Sequence, residues 1–302
     1  MSVSQTENND AKVGVLSAIA AYTMWGFAPM YFKYLDALSA MEVLLHRVVW
    51  SAAVLVILIV SLKQIDKVIK ALRSVRVMGI LLAAGLLLGA NWLLFIWAIN
   101  NDHLLDASLG YYINPLINVL LGYLFLQERL RRLQMWAVGL AALGVVILIV
   151  SYGQLPWIAL VLAVSFSIYG LLRKQVSVES MPGLFIETMM MLPIAIYYWV
   201  IWGTASSNMF SNTWSFNLWL IAAGVVTTAP LLCFTAAARR IRYSTLGFFQ
   251  YIGPSLMFIL AVWLYGEPLD NARLVTFGFV WGALALFSWD SYRSYRQTKR
   301  QD

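Results

Sequence analysis

Long apolar runs separated by short polar segments are the feature that most limits how this chain can fold. About 20 apolar residues in a helix cross the ~30 Å hydrocarbon core of a bilayer. Ten runs of about that length lie near 13–32, 40–62, 77–100, 104–126, 133–152, 155–172, 182–202, 216–238, 243–265 and 271–290. Of the 302 residues 61% are hydrophobic and 12% are charged, whereas a soluble domain is about 25% charged. We therefore predict an all-α integral membrane protein with ten transmembrane helices, although the short Gly153–Pro156 segment between the fifth and sixth runs leaves a count of nine open.

Lysine and arginine are concentrated between alternate runs. With the N-terminus on the inner side, the segments on that side, which include Arg173, hold all of the 21 basic residues except Lys33, Arg47 and Arg273. Positive charge is enriched in short cytoplasmic loops, so we expect a multi-pass protein of the plasma (inner) membrane with both termini cytoplasmic. The formal charge of +7 then follows from topology. It does not form the contiguous basic face that nucleic acid requires, and we expect no nucleic-acid partner.

The two halves of the chain resemble each other. Pro115 is followed thirteen residues later by Glu128, and Pro254 is followed by Glu267 at the same spacing. Each half holds five runs, an odd number, so the second half must be inverted relative to the first, which is a common plan for transporters. We predict a cytoplasmic N-terminal tail, two five-helix repeats and a basic cytoplasmic C-terminal tail, at 1–12, 13–152, 153–290 and 291–302.

Longer strings point to a known family. They are Asn91-Trp92 in the third run, SLGYYINP at Ser108–Pro115 in the fourth, and GFFQY at Gly247–Tyr251 in the ninth. With the paired proline and glutamate motifs, the chain resembles the EamA-type permeases of the drug/metabolite transporter superfamily, specifically the RarD group. The resemblance covers nearly the whole chain. It implies ten helices in two inverted five-helix repeats with both termini cytoplasmic, and it favours export of a solute over uptake.

The expected function is a secondary transporter, a permease that moves a small metabolite or drug-like solute by alternating access. No nucleotide-binding motif is present, and no nucleophile with a plausible base or cluster of metal ligands suggests an enzyme. The single cysteine, Cys233, excludes an intrachain disulfide, and His46 and His103 lack a zinc spacing. We therefore expect no cofactor and no metal. An uptake permease of the same fold and a membrane-embedded, non-transporting receptor are the alternatives.

Ionisable residues inside apolar runs are candidate functional residues, because each costs at least about 2.5–3.5 kcal/mol at the centre of a membrane helix. Four of them lie in the second and seventh runs: Glu42, His46, Arg47 and Glu187. Glu42 and His46 are one helical turn apart and share a face, so they can interact.

The repeats place Arg47 and Glu187 at equivalent positions when Met41 is aligned with Met181. Because the halves are inverted, we expect the two side chains at opposite ends of one central cavity and not in a direct salt bridge. Arg47 would favour an anionic or carboxylate-bearing group, and Glu187 a cation or an exchanging, coupling proton. A role in packing alone is an equally open alternative for both.

Polar and aromatic side chains within the runs complete the candidate set, because rings supply contact area and amides fix orientation in small-molecule sites. They are Trp25, Asn91, Tyr112, Asn114 and Gln250, with Trp92, Tyr111 and Tyr251 beside them. Tryptophan and tyrosine are also enriched at both membrane boundaries, so an interfacial or packing role is the alternative for the aromatic residues.

Three further features predict contacts between segments. Glu128 and Glu267 end their runs beside short loops, where a carboxylate can accept hydrogen bonds from loop donors. The pairs Gly85/Gly89 and Gly278/Gly282 have the spacing of close helix contacts. These contacts can form within one chain or between two copies, so a homodimer is one expected assembly.

Overall fold

The computed structural model describes residues 3–35, 38–100, 104–153, 155–204, 208–264 and 271–298. Within these ranges the regular structure is entirely helical, so the prediction of an all-α chain is confirmed. The helices are α1 (Val3–Phe32), α2 (Ala40–Ser61), α3 (Ile65–Leu72), α4 (Val75–Asn100), α5 (Leu104–Leu126), α6 (Arg132–Tyr152), α7 (Trp157–Gln175), α8 (Ser180–Trp202), α9 (Trp214–Arg240), α10 (Tyr243–Gln250), α11 (Ile252–Trp263) and α12 (Asn271–Thr298). His103 and Glu267 lie outside the described residues, as do the side chains of Lys33 and Arg273.

Nine of the helices in the described ranges are long and apolar enough to cross a membrane: α1, α2, α4, α5, α6, α7, α8, α9 and α12. The fifth and sixth predicted runs are separate helices, α6 and α7. Helix α6 ends at Gly153, whose φ of 77° lies in the left-handed region that glycine adopts without a steric cost.

The ninth predicted run is two short helices instead of one. The ring of a proline clashes with the carbonyl four residues earlier and removes the hydrogen bond to it. For Pro254 that carbonyl belongs to Gln250, the last residue of α10. The helix is interrupted at the residue after Gln250. There the backbone N–H of Tyr251 donates to the carbonyl oxygen of Phe248, only three residues earlier, at 3.2 Å, and α11 begins at Ile252.

Helices also extend beyond the predicted runs. Helix α1 begins at Val3 and α12 continues to Thr298, because a helix that leaves the bilayer still satisfies its own backbone groups.

The connection after α2 contains α3, a short amphipathic helix that the sequence analysis did not predict. Its Val68 and Ala71 are buried against the bundle.

Helix packing follows the same scheme in both halves. Helix α1 packs against α9 and α11, and α7 packs against α4 and α5. Helix α2 packs against α8 and α9, and α8 packs against α2 and α4. Two contacts join like elements of the two halves, α5 with α10 and α6 with α12. Each helix therefore has the same main neighbours as its equivalent in the other half, once every helix is replaced by its equivalent.

The glycine pairs pack within the chain. Gly85 and Gly89 lie against Glu187 and Met191 of α8, and Gly282 lies against Leu140 of α6. A Cβ atom at Gly278 would meet no atom within 4 Å. These contacts account for three of the four glycines without a second copy of the chain.

Basic side chains gather at one end of the bundle. Lys67 and Glu179 form an ion pair of 2.7 Å between the start of α3 and the start of α8. Arg239, at the end of α9, donates to the carbonyl oxygen of Val178 in the connection before α8. Other pairs at this end are Arg240 with Asp10 at 3.5 Å and Arg131 with Asp290 at 2.6 Å. Ends of α1, α3, α6, α8, α9 and α12 therefore meet on one side.

Glu128 binds the first turn of α10 at this same end. Its carboxylate oxygens accept hydrogen bonds from the backbone N–H groups of Tyr243 at 2.6 Å and Ser244 at 2.9 Å, and from the Ser244 hydroxyl at 2.7 Å. A negative charge at a helix N-terminus satisfies donors that have no partner within the helix. Glu128 thus accepts hydrogen bonds at the end of its run, as predicted, from a helix of the other half.

Replacing Glu128 by alanine removes these bonds and leaves two buried backbone donors without partners, each at a cost of about 1–3 kcal/mol. We expect Glu128→Ala to lower the thermal melting midpoint of the purified protein by roughly 5 °C or more. Glu179→Ala is the matched control, because that carboxylate is half exposed and its surface pair contributes about 0–1 kcal/mol. Equal melting midpoints for the two variants would contradict the role assigned to Glu128.

Candidate functional site

A narrow cavity lies between α2, α4, α8 and α9. Its walls are Arg47, Val48 and Ser51 of α2, Leu88 and Trp92 of α4, Leu184, Glu187, Thr188 and Met191 of α8, and Thr227, Thr228 and Leu231 of α9. The volume of the cavity is about 10 Å³, which is about enough for one water molecule. Two helices from each half of the chain therefore enclose a mainly apolar chamber with a few polar groups.

Helical spacing explains which side chains reach this chamber. On α8 the wall residues Leu184, Glu187, Thr188 and Met191 follow the i, i+3, i+4, i+7 pattern of one helix face. Arg47 and Ser51 are one turn apart on α2, as are Leu88 and Trp92 on α4.

Arg47 faces the cavity with aromatic and hydroxyl neighbours. Its Nε donates to the Thr227 Oγ1 at 2.9 Å. Its Cζ lies 4.5 Å from the ring centroid of Trp92 and 5.5 Å from that of Phe32. Among the residues that the structure describes, no carboxylate pairs with it. The guanidinium is therefore held by one hydrogen bond and two cation–π contacts, and the latter contribute about 0.5–2 kcal/mol each.

Glu187 has a partner that the sequence analysis did not identify. Its Oε1 lies 3.3 Å from Nη1 of Arg173, and its Oε2 accepts a hydrogen bond of 3.4 Å from the Tyr169 hydroxyl. The side chains of Arg173 and Glu187 are 0% and 1% exposed. Arg173 lies in the last turn of α7 and not in a loop, and its side chain is buried in the hairpin formed by α7 and α8.

The Arg173 side chain occupies space that a glycine leaves free. A Cβ atom at Gly183 would lie 2.7 Å from the Arg173 Nη2 and 2.8 Å from its Cζ, and it would overlap with Nη1. The Arg173 Nη2 also donates to the carbonyl oxygen of Ser180 at 3.0 Å. Gly183 is therefore the residue on α8 that admits the counter-charge of Glu187.

Glu42 lies away from the cavity, at the start of α2. Its carboxylate accepts hydrogen bonds from the Ser39 backbone N–H at 3.0 Å and the Ser39 hydroxyl at 2.8 Å. Thr204 donates to the same carboxylate through its backbone N–H at 3.0 Å and through its hydroxyl. Glu42 completes a capping box with Ser39, which explains an ionisable side chain near the end of a membrane helix.

The other ring-bearing candidates pack in separate clusters. His46 lies edge to face with Trp199, with 4.9 Å between ring centroids. Trp25 contacts Phe166 and Phe234. Tyr112 contacts Phe277 at 5.4 Å and accepts a hydrogen bond on its carbonyl oxygen from Tyr251. None of these three candidates is among the cavity-lining residues of the described chain.

The amide candidates join helices to one another. Asn91 donates to the carbonyl oxygen of Leu162 at 2.9 Å, linking α4 to α7. Asn114 donates to the carbonyl oxygen of Ala163 at 2.6 Å, linking α5 to α7. Gln250 accepts from Asn118 at 2.9 Å, linking α10 to α5. Of the twelve residues that the sequence analysis named as candidates, Arg47, Glu187 and Trp92 line the cavity.

Sequence reasoning did not single out Ser51, Thr188, Thr227 or Thr228 as cavity residues. The adjacent hydroxyls of Thr227 and Thr228 interrupt an otherwise apolar stretch of α9, which is a signal available in the sequence. Arg173 gives no such signal, since it precedes Lys174 at the end of a run and resembles any other basic residue there.

The profile of the EamA-like transporter family matches two parts of the chain, residues 12–150 and 156–289. The chain belongs to the EamA-like transporter family. An uncharacterized transporter of Vibrio cholerae serotype O1 is 56% identical over 296 residues, which cover 97% of this chain and 98% of that protein. Protein RarD of Escherichia coli strain K12 is 52% identical over 288 residues, which cover 95% and 97%.

The fold agrees with this membership. A crystal structure of a protein with 16% sequence identity superposes with a TM-score of 0.71 and covers 90% of this chain and 96% of its own. At that identity the likeness concerns the fold alone. The resemblance to EamA-type permeases of the RarD group is confirmed by the family match and the relatives. The protein is a multi-pass membrane transporter and not an enzyme, and its partners are a small-molecule substrate and the lipid bilayer.

Gly183→Ala tests the buried ion pair. The new methyl group forces the Arg173 guanidinium away from Glu187, and an unpaired buried charge costs roughly 3–5 kcal/mol. We expect a clear fall in the melting midpoint of the purified transporter. Gly139→Ala is the matched control, because a Cβ there meets no atom within 4 Å and alanine favours helix. If both variants melt like the unmodified protein, the guanidinium can move at no cost and the pair does not stabilise the fold.

Proposed function

We propose that the protein is a secondary transporter that moves a small metabolite or drug-like solute across the plasma membrane by alternating access, and that it exports the solute. The observation that supports this proposal most is that both halves of the chain contribute helices to the cavity walls. Helices α2 and α4 come from one half of the chain, and α8 and α9 from the other. A site shared by two related halves can open to either side as the halves rock against each other.

The proposed architecture is ten membrane spans in two inverted repeats, 13–152 and 153–290, in which α10 and α11 together form the ninth span. Two observations support it. The exchange of halves preserves the main helix neighbours, and the family profile matches each half separately. Five spans per half then require opposite orientations.

Arg47 and Glu187 occupy the proposed substrate path from equivalent positions of the two halves. Apolar walls suit the body of a solute, and the charged and hydroxyl groups suit its polar ends. Because the cavity holds about one water molecule, a solute can enter only after the four helices have moved apart. Glu187 is the residue we propose for binding a coupling proton.

The proposed topology places both termini in the cytoplasm. The basic side chains at one end of the bundle support it, since such residues are enriched on the cytoplasmic side. We propose that the tails 1–12 and 291–302 lie on this side, and that the connection between α8 and α9 lies on the other.

Reporter fusions test this topology. Alkaline phosphatase requires an oxidising compartment for its disulfides, so it should be active when inserted at Asn208 and inactive when attached at the C-terminus. Green fluorescent protein at the C-terminus should fluoresce in intact cells. The reverse pattern, or activity at both sites, would contradict the orientation and the inverted repeat that depends on it.

Solute flux tests the transport mechanism. Purified protein in liposomes with an imposed pH gradient should move at least one member of a panel of metabolites and antibiotics. Arg47→Ala should reduce that flux about tenfold or more, because it removes a charge from the cavity wall. Glu187→Gln should remove the effect of the pH gradient if Glu187 binds the coupling proton. The direction of flux relative to the gradient separates an exporter from an uptake permease.

Lys67→Ala is the control for these variants, because Lys67 lies at the surface in an exposed ion pair. It should leave flux unchanged. Binding of solutes without flux in the unmodified protein would favour a receptor. Unchanged flux in both cavity variants would exclude Arg47 and Glu187 from the transport path.

A further inference from the structure

The charges on the cavity wall do not cancel. Arg47 and Glu187 are the ionisable residues that line it within the described part of the chain. Glu187 is already paired with Arg173, and both side chains are fully buried. That pair is formally neutral, so Arg47 adds one uncompensated positive charge to the chamber.

The surroundings of Arg47 leave its charge open to a ligand. Its Nε bonds to the neutral hydroxyl of Thr227, the rings of Trp92 and Phe32 lie close to it, and the phenol groups of Tyr31 and Tyr111 lie within electrostatic range. The two Nη groups have no hydrogen-bond partner among the described residues. A guanidinium with free terminal nitrogens is suited to a carboxylate, a sulfonate or a phosphate, because it can donate two parallel hydrogen bonds.

A second polar group in the wall also has no partner. Thr228 is 2% exposed, and its hydroxyl makes no hydrogen bond with any residue that the structure describes. A buried hydroxyl without a partner is unfavourable. A ligand that accepts a hydrogen bond in the cavity would satisfy it. Thr228 lines the same cavity as Arg47.

We propose that the substrate is a small organic anion, with one negatively charged group bound by Arg47 and an apolar body against the cavity wall. Leu88, Leu184 and Leu231 provide the apolar part of the wall. Glu187 has no free negative charge to hold a cationic substrate, because Arg173 is already paired with it. This inference rests on the proposed transport function and adds the charge of the substrate to it.

Thiol labelling measures the electrostatic preference of the cavity without knowledge of the natural substrate. Cys233 is the only cysteine in the chain, so the variant Cys233→Ser with Ser51→Cys carries one thiol in the cavity wall, one turn from Arg47. The probes are sulfonatoethyl methanethiosulfonate, an anion, and trimethylammonioethyl methanethiosulfonate, a cation. Each labelling rate is divided by the rate of the same reagent with a small free thiol.

With Arg47 present, we expect the anionic reagent to react about tenfold faster than the cationic reagent after this normalisation. Arg47→Gln should bring the ratio close to one, whereas Arg47→Lys keeps the charge and should keep the preference. Glu187→Gln should increase the preference, because it leaves Arg173 without a counter-charge. The measurement with Arg47 in place decides by itself, even if one of the variants folds poorly.

Equal rates for the two reagents, or an unchanged ratio in Arg47→Gln, would overturn the anion proposal while leaving the transporter proposal intact. A faster reaction of the cationic reagent than of the anionic reagent would also overturn the anion proposal. If neither reagent reaches the thiol from either side of the membrane, the cavity does not open. That result would remove alternating access, and the substrate inference with it.

Discussion

The absence of water from the hydrocarbon core is the constraint on which the rest of this structure depends. Every backbone donor and acceptor there must find a partner within the protein, and helices provide one for nearly all of them. The exceptions occur where helices begin, end or break, and the structure places side chains at those points. Glu42 caps α2, and Glu128 supplies the acceptors that the first turn of α10 lacks. Two of the carboxylates in this apolar chain thus serve the backbone directly.

Charges that do not serve the backbone are either neutralised or face the cavity. Arg173 and Glu187 neutralise each other as an ion pair in which both side chains are buried. Such a pair gives little net stability relative to apolar side chains, but losing one partner is costly. Arg47 differs because its neighbours are rings and a hydroxyl. This contrast between a compensated and an uncompensated arginine is the basis for assigning different roles to residues that look alike in sequence.

Most of the fold could be predicted from the sequence, because membrane spans follow from hydrophobicity averaged over about 20 residues. The ninth predicted run differed, since one proline in the first turn of α11 divides it into two helices, and hydrophobicity does not record that break. The amphipathic helix α3 was missed because it is shorter than a span and contains several charged residues.

The candidate site was predicted only in part. Arg47 and Glu187 stood out because charge is rare in an apolar run, and the structure places both on the wall of one cavity. Asn91, Asn114 and Gln250 gave the same kind of signal but bond to neighbouring helices. A polar residue in a membrane helix has to face something polar, and its own position does not reveal whether that is a cavity or another helix. Arg173 could not be identified as the partner of Glu187 without knowing how α7 and α8 are joined.

The hydrogen bonds of Glu128 connect helices that the sequence repeats assign to different halves. By sequence, α10 belongs to the second half, yet three hydrogen bonds fasten its first turn to a carboxylate of the first half. A rigid-body motion that separated the halves at Gly153 would have to break all three. A motion that pivoted at Tyr251, between α10 and α11, would break none of them. The hydrogen-bonded group of helices that contains α5 therefore includes α10, and it ends at Tyr251, between two helices of the second half.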